Sequence, residues 1–258
     1  MTLFGKRSSD ASPRTGMLED IEKLWRRVRV VALGTPLLVV FGFGAGRVTN
    51  EALALPDSEL VRASTGEVTP RIHLEALSRR LDGVREKGTN TTEYVALYKE
   101  HIEPVERVLR KRGLGAETAR RVAWPLVEES YKQGLSPTMV MAVMLIESRG
   151  RPNAVSPVGA RGLMQVMPLW SGYWRNCGAD LYDIESNLCN GTSILAWYLK
   201  RAKGDVRSAL LGYNGCVNGT NTPNCHTYPD KVNRIKTQLE RELRATHVRG
   251  VPLNAAGP

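Results

Sequence analysis

Aromatic residues are scarce in this chain of 258 residues, at 6%, and only three are phenylalanine. A nucleic-acid surface built on many stacked bases is therefore not expected. Cysteine is equally sparse: there are four, the first at Cys177. That excludes a disulfide-dense miniprotein and leaves no thiol near the N-terminus for a lipoprotein acyl chain. No Cys-x-x-Cys pair occurs, which argues against a structural zinc site. Internal repeats and low-complexity tracts are missing too. What is present is an ordinary globular mixture, 42% hydrophobic and 24% charged, long enough for one large or two small domains. Acidic residues are in the minority, and the net charge of +10 favours polyanionic partners without specifying a fold.

The charge is unevenly placed. Residues 1–29 hold seven basic residues (Lys6, Arg7, Arg14, Lys23, Arg26, Arg27 and Arg29) against four acidic ones, so seven of the ten net positive charges remain beyond them. Seventeen uncharged residues follow, Val30 to Gly46, closed by Arg47. As a helix this run spans about 26 Å, slightly short of the hydrocarbon core of a bilayer. Gly34, Pro36, Gly42, Gly44 and Gly46 make it a poor soluble helix. The basic flank puts residues 1–29 in the cytoplasm by the positive-inside bias. The run reads as an uncleaved transmembrane signal anchor. Its rivals are a cleaved signal peptide ending near Ala52-Leu53-Ala54, for which the charged stretch is long, and a buried core helix.

Residues 47–69 read as a linker, with Pro56 and Gly66 and no sustained period. From Pro70, Ile72, Leu74, Leu77, Leu81 and Val84 recur at mostly three- and four-residue steps and predict a helix to about Gly88. Thr91 or Thr92 caps a second one to about Arg112, carrying Val95, Tyr98, Ile102, Val105 and Leu109, with a kink at Pro104. Residues 70–116 therefore read as a helical hairpin or stalk with no chemistry of its own.

A further helix runs from near Glu117 to about Gln133, stopped by Gly134. Ser136-Pro137 is a start signal, a capping hydroxyl followed by proline in the first turn. In the helix that follows, Val140, Val143, Met144 and Glu147 share one stripe. A carboxylate on an apolar stripe is costly, because burial disfavours its charged form and raises its pKa. A carboxyl kept protonated near neutral pH is what a general acid needs. The alternative is a helix-end glutamate turned to water or paired with Arg149 or Arg151.

Beyond this helix come Ser156, then Gly159 and Gly162, which permit close backbone approach, and Met164 and Gln165, whose amide both donates and accepts. Gly212-Tyr213-Asn214 closes a later short helix, and His226-Thr227-Tyr228-Pro229 follows a polar loop. The ordered set Ile146-Glu147-Ser148, Gly162-Leu163-Met164-Gln165, Gly212-Tyr213-Asn214 and the late Tyr228 resembles the catalytic domain of soluble lytic transglycosylases, related to goose-type lysozyme. Asp183-Ile184-Glu185-Ser186-Asn187, with the helical Ile194–Leu199 after it, looks like the family's middle segment. The resemblance covers residues 117–245, with 246–258 left as a tail. It implies a mainly α, lysozyme-like fold and cleavage of the N-acetylmuramic acid to N-acetylglucosamine bond of peptidoglycan.

What the resemblance implies falls residue by residue. Glu147 matches the family's catalytic carboxyl. Ser148, Ser156, Met164, Gln165, Tyr213, Asn214 and Tyr228 match positions that meet the substrate, although Ser148 also suits a helix cap and Met164 a core. Gly212 stands where the family more often has alanine. No second acid falls in a matching motif; Asp180, Asp183 and Glu185 read as loop and cap residues. One carboxyl suffices if the muramic N-acetyl group stabilises the anomeric centre and the sugar's own 6-hydroxyl closes a 1,6-anhydro ring. No cofactor or metal is then required.

Four cysteines allow three pairings. The local ones, Cys177–Cys189 and Cys216–Cys225, are favoured because each closes a polar loop; a zinc site with His226 is the rival. Disulfides fit a domain outside the cytoplasm. The sequence thus predicts a single-pass protein of the bacterial cytoplasmic membrane, its catalytic domain in the periplasm or outside the cell. Its expected partners are peptidoglycan glycan strands and the membrane through one N-terminal helix, with no nucleic acid. An envelope-spanning secretion, conjugation or phage apparatus is compatible with this. The alternatives are a goose-lysozyme-like hydrolase and a non-catalytic glycan-binding subunit.

Overall fold

A computed structural model of the protein describes residues 60–63, 68–87, 91–174, 176–216 and 224–250. The basic segment 1–29 and the apolar run 30–46 lie outside the described residues. Among the described residues no helix is long and apolar enough to cross a membrane. The fold is mainly α. Strands β1 (Leu60–Arg62) and β2 (Val68–Pro70) pair antiparallel, with Leu60 opposite Pro70 and Arg62 opposite Val68. They occupy the end of the stretch read as linker; at three residues each they are too short to display a period of two.

Helix α1 (Arg71–Lys87) buries Leu74, Leu81 and Val84, whereas Ile72, expected on the same stripe, is 69% exposed on the first turn. Helix α2 (Thr92–Leu97) is capped by Thr91, whose hydroxyl accepts from the Tyr94 N–H at 3.1 Å. It passes through a π turn (Tyr98–Ile102) into α3 (Glu103–Lys111). The π turn is the form the expected kink takes: Pro104 has no N–H to give to the preceding turn, and the wider backbone loop accommodates it. Val95, expected on the apolar stripe, is exposed, while Leu97, Ile102, Val105 and Leu109 are buried.

The central element is α4 (Ala116–Lys132), buried without interruption from Val122 to Tyr131. Helices α1, α3, α5 and α6 all pack on it, and the buried run takes in the polar Glu128, Glu129 and Ser130, each of which finds a hydrogen-bond or ion partner. The helices of residues 71–111 thus share one buried core with those that follow. Gly134, at φ 62°, ends α4. Helix α5 (Pro137–Glu147) starts at Pro137, but the Ser136 hydroxyl meets Thr138 Oγ1 at 2.6 Å and caps no backbone N–H, contrary to expectation. Helix α6 (Ile184–Arg201) is capped by Asp183 and α7 (Val206–Tyr213) by Asp205, each accepting a backbone N–H three residues on. Helix α8 (Tyr228–Gly250) packs on α3, α5 and α7 and runs past the boundary expected near residue 245.

Both local disulfides are formed, Cys177–Cys189 and Cys216–Cys225, so none of the four thiols is available to zinc. The second joins the end of α7 to the turn that opens α8, across nine positions of sequence. Closing a loop of that size contributes about 2–3 kcal/mol on the chain-entropy model. Replacing Cys216 and Cys225 by serine should therefore lower the denaturation free energy by about that much. Activity should fall as well, because Tyr213 and Tyr228 flank the bridge; chemical denaturation and turnover of the double variant measure the two effects.

Candidate active site

Glu147 is the last residue of α5. The helix is apolar along the face that carries Val140, Val143 and Met144, all fully buried, and the carboxyl at the end of that face is half-buried. Burial pushes its pKa up from the usual carboxylate range to about 7, against the opposing effect of a hydrogen bond from Tyr228. The helix C-terminus acts in the same direction as burial, since its dipole disfavours negative charge. The Tyr228 hydroxyl donates to Glu147 Oε1 at 2.5 Å. Tyr228 is 5% exposed at the start of α8, 81 positions along the chain from its partner. Tyr213, on the last turn of α7, donates its hydroxyl to the Met164 carbonyl at 2.8 Å. Burial raises both phenols well above their ordinary pKa, and a charge on Glu147 would raise them further. Both therefore stay protonated and act as donors.

Met164 itself is fully buried, its side chain packed on α6 where a Cβ at Gly191 would meet Sδ at 2.5 Å. Its contribution is the backbone carbonyl that seats Tyr213. Gln165 holds a left-handed backbone, φ 50°, and its side-chain amide donates to the carbonyls of Ala154 and Gly162 at 3.2 and 3.0 Å. The amide expected to meet sugar thus ties down the loop after α5. The Ser148 hydroxyl is likewise turned inward, donating to the Met144 carbonyl and accepting from the Gly150 N–H. Ser156 accepts the Ala160 N–H. Asn214 forms the C-cap of α7. The structure thus brings Glu147, Tyr228, Tyr213 and the Met164 carbonyl together, and spends Ser148, Ser156 and the Gln165 Nε2 on local backbone.

Asn187 went unassigned in the sequence, yet it fixes the loop that bears Met164. Its Oδ1 accepts the Met164 N–H at 2.8 Å, and its Nδ2 donates to the carbonyls of Arg161 and Leu181 at 2.9 and 2.8 Å. Gly162 is required for this: its φ is 74°, and a Cβ there would lie 2.1 Å from Asn187 Nδ2. The signal was of the same kind as for Glu147, a polar residue on the apolar stripe of Ile184, Leu188 and Gly191. Asp183 and Asp180 are occupied elsewhere. Burial opposes ionisation of Asp183, but the hydrogen bonds from Ser186 hold its pKa low, and Asp180 accepts the Tyr182 N–H.

A raised carboxyl pKa does not by itself mark a site here. Burial also lifts Glu128 to about 7, but it accepts from Trp124 Nε1 and faces Arg85 beside α1. Glu147 differs in having two phenols, from two other helices, gathered around it.

Residues 125–230 match the family model described as Transglycosylase SLT domain. Over this segment the chain is similar to the lytic transglycosylase catalytic-domain family. Among proteins similar to it, a transglycosylase of Enterobacteria phage PRD1 is 40% identical over 108 residues, which cover 40% of this chain and 38% of that protein. An endo-type membrane-bound lytic murein transglycosylase A of Citrobacter koseri is 34% identical over 88 residues, 30% of this chain and 43% of the relative. A membrane-bound lytic murein transglycosylase C of Actinobacillus pleuropneumoniae is 36% identical over 90 residues, 31% of this chain and 25% of the relative. The chain thus spans less than half the length of each of these curated relatives.

Two outcomes follow from the hydrogen bonds described. Tyr228→Phe removes the bond that stabilises the carboxylate, so the Glu147 pKa should rise; a pH–rate profile should show its alkaline limb displaced to higher pH, at lower peak activity. Asn187→Ala strips the buried Met164 N–H and two carbonyls of their partner, and should cost about 3 kcal/mol of stability, read as a lower denaturant midpoint. The stability effect of Glu147 has the opposite sense to a paired carboxylate. The folded chain holds its proton above the ordinary range, so between about pH 4.5 and pH 7 it binds more protons than the unfolded chain, and stability declines as pH rises through that window.

Proposed function

We propose that the chain is a peptidoglycan lytic transglycosylase that cleaves the β-1,4 bond between N-acetylmuramic acid and N-acetylglucosamine. The observation that carries this reading is one half-buried carboxyl at a helix end, held by the Tyr228 phenol, within a segment that matches the transglycosylase family model. The proposed anchor, residues 30–46, would keep the catalytic domain at the outer face of the cytoplasmic membrane, and two of the relatives are named as membrane-bound.

In the proposed reaction Glu147 is protonated at the start and gives its proton to the glycosidic oxygen as the bond to the anomeric carbon breaks. Tyr228 occupies Oε1, which leaves Oε2 to carry the proton. The N-acetyl group of the muramic sugar stabilises the positive anomeric carbon. The carboxylate, stabilised by the same Tyr228 hydroxyl, then takes the proton of the 6-hydroxyl as that oxygen bonds to the anomeric carbon. The 1,6-anhydro ring closes, the carboxyl regains its proton and no water is consumed. A paired-carboxylate glycosidase would need a second acid across the bond; the next acids after Glu147 in sequence, Asp180 and Asp183, serve as turn and cap. A tethered hydroxyl reacts at an effective molarity of order 10⁵ M or more, enough to outrun bulk water in an open groove.

Glu147→Gln should keep the fold and lose turnover by about 10²–10⁴-fold or more, because the amide neither gives nor takes the proton. Mass spectrometry of digested peptidoglycan tests the chemistry. Muropeptides ending in 1,6-anhydromuramic acid, one water lighter than hydrolysis products and inert to borohydride, are the expected result. Free reducing ends carrying ¹⁸O from labelled water would sink the mechanism and assign a lysozyme-like hydrolase.

A further inference from the structure

Three of the five tryptophans lie together beside α6. Trp170 and Trp174 stack with centroids 5.8 Å apart, and Trp170 meets the Trp197 ring at 5.8 Å. Tyr173 stands edge-on to Trp170 and Trp174. All four rings are only partly buried, and the neighbouring Leu169 is 54% exposed. Trp170 and Trp174 rest one side on the hydrophobic core, whereas Tyr173 and Trp197 are not part of it, so the cluster keeps aromatic surface that the core does not cover.

Trp174 and Trp197 line a cleft of about 650 Å³, which also takes in Arg71, Lys200, Lys203 and one acid, Glu75. The lining therefore carries two positive charges in excess. Arg71 is held in place, donating from Nη2 to the Gln133 carbonyl at 2.7 Å, and Arg201 sits 4.7 Å above the Trp197 ring. The cleft is linked to the catalytic carboxyl by a run of rings. Trp197 meets Tyr198 at 4.8 Å. The Tyr198 ring lies on Gly212, where a Cβ would come within 2.4 Å of it. The next residue, Tyr213, seats on the Met164 carbonyl beside Glu147.

Indole faces suit the apolar faces of sugar rings and the methyl groups of short side chains. Ammonium and guanidinium groups suit carboxylates. A strand of alternating N-acetyl sugars is neutral apart from the acidic peptides hung on its muramic lactyl groups, so the excess positive charge points to those peptides. We propose that this cleft binds the carboxylate-bearing stem peptide of the peptidoglycan strand under cleavage, with Lys200, Lys203 and Arg71 meeting the carboxylates and Trp174 and Trp197 the apolar parts. The assignment rests on peptidoglycan being the substrate.

The test uses the full chain and glycan strands coupled to beads through their ends, one preparation from intact sacculi and carrying stem peptides, the other stripped of them by an amidase. Cosedimentation with the beads is measured with the Glu147→Gln protein, so that no strand is cut. Half-saturation should come at lower protein concentration on peptide-bearing strands than on stripped ones. Adding Lys200→Glu and Lys203→Glu should raise the half-saturation concentration on peptide-bearing strands about tenfold, and leave that on stripped strands unchanged. In the active protein the same pair should raise KM on intact sacculi at constant kcat. Both lysines are exposed, and an unchanged denaturation midpoint confirms that the fold is kept. Equal binding to the two preparations, or a loss that is the same on both, overturns the proposal. If the wild-type chain cleaves neither preparation, the catalytic reading fails, while the sedimentation ratio still decides the cleft.

Discussion

Everything around the site follows from placing an ionisable carboxyl at the half-buried C-terminal end of an apolar helix. The packing of α5 against α4 and α8 removes part of the water from Glu147, and the helix dipole opposes a negative charge there. The carboxyl answers by holding its proton to near neutrality and by taking a hydrogen bond from a phenol. That bond has to come from Tyr228, the first residue of α8, so the α5–α8 contact is both core and site. A second phenol, Tyr213, is brought close and is itself buried, so its hydroxyl needs an acceptor of its own. The Met164 carbonyl meets that need.

The Met164 carbonyl is only as well placed as the loop that carries it. Between α5 and α6 the chain runs through residues 148–183 with one short 3₁₀ turn, Pro168–Trp170, and isolated bridges at Val155, Arg161 and Val166. With so little regular hydrogen bonding, side chains hold it. Asn187 reaches out of α6 to three backbone groups of this loop, Gln165 clamps two carbonyls, and Ser148 and Ser156 close the turns next to them. A buried amide that makes three of its four possible hydrogen bonds rigidifies its surroundings. The glycines at 162 and 191 are present because Asn187 and Met164 fill the space a methyl group would take. Reactive residues thus sit at helix ends and on a braced loop over a rigid scaffold.

The motif residues divide on the same physical line. Ser148, Ser156 and Gln165, matched through the family resemblance to positions that meet the substrate, also hydrogen-bond to the local backbone. Gln165 sits at φ 50° and pays for that conformation with its own amide. A side chain beside glycine is as well suited to bracing a turn as to meeting a sugar, and only the path of the turn distinguishes the two.

The sequence by itself determined the helical periods, the caps at Thr91 and Asp183, the Pro137 start, the stop at Gly134, the local cysteine pairs and the misplaced carboxyl at Glu147. These are set by neighbours within a turn or two, where spacing and residue type act directly. It did not reveal that Ile72 and Val95 face water, that a π turn precedes Pro104 or that Asn187 anchors the loop. Nor did it reveal that Trp170, Trp174 and Trp197 meet beside Arg71. Each of those depends on which helix lies opposite, and that is decided by packing between segments tens of residues apart. The 81 positions between Glu147 and Tyr228 collapse to one hydrogen bond because α8 packs along α5 and brings its first residue to the last residue of that helix.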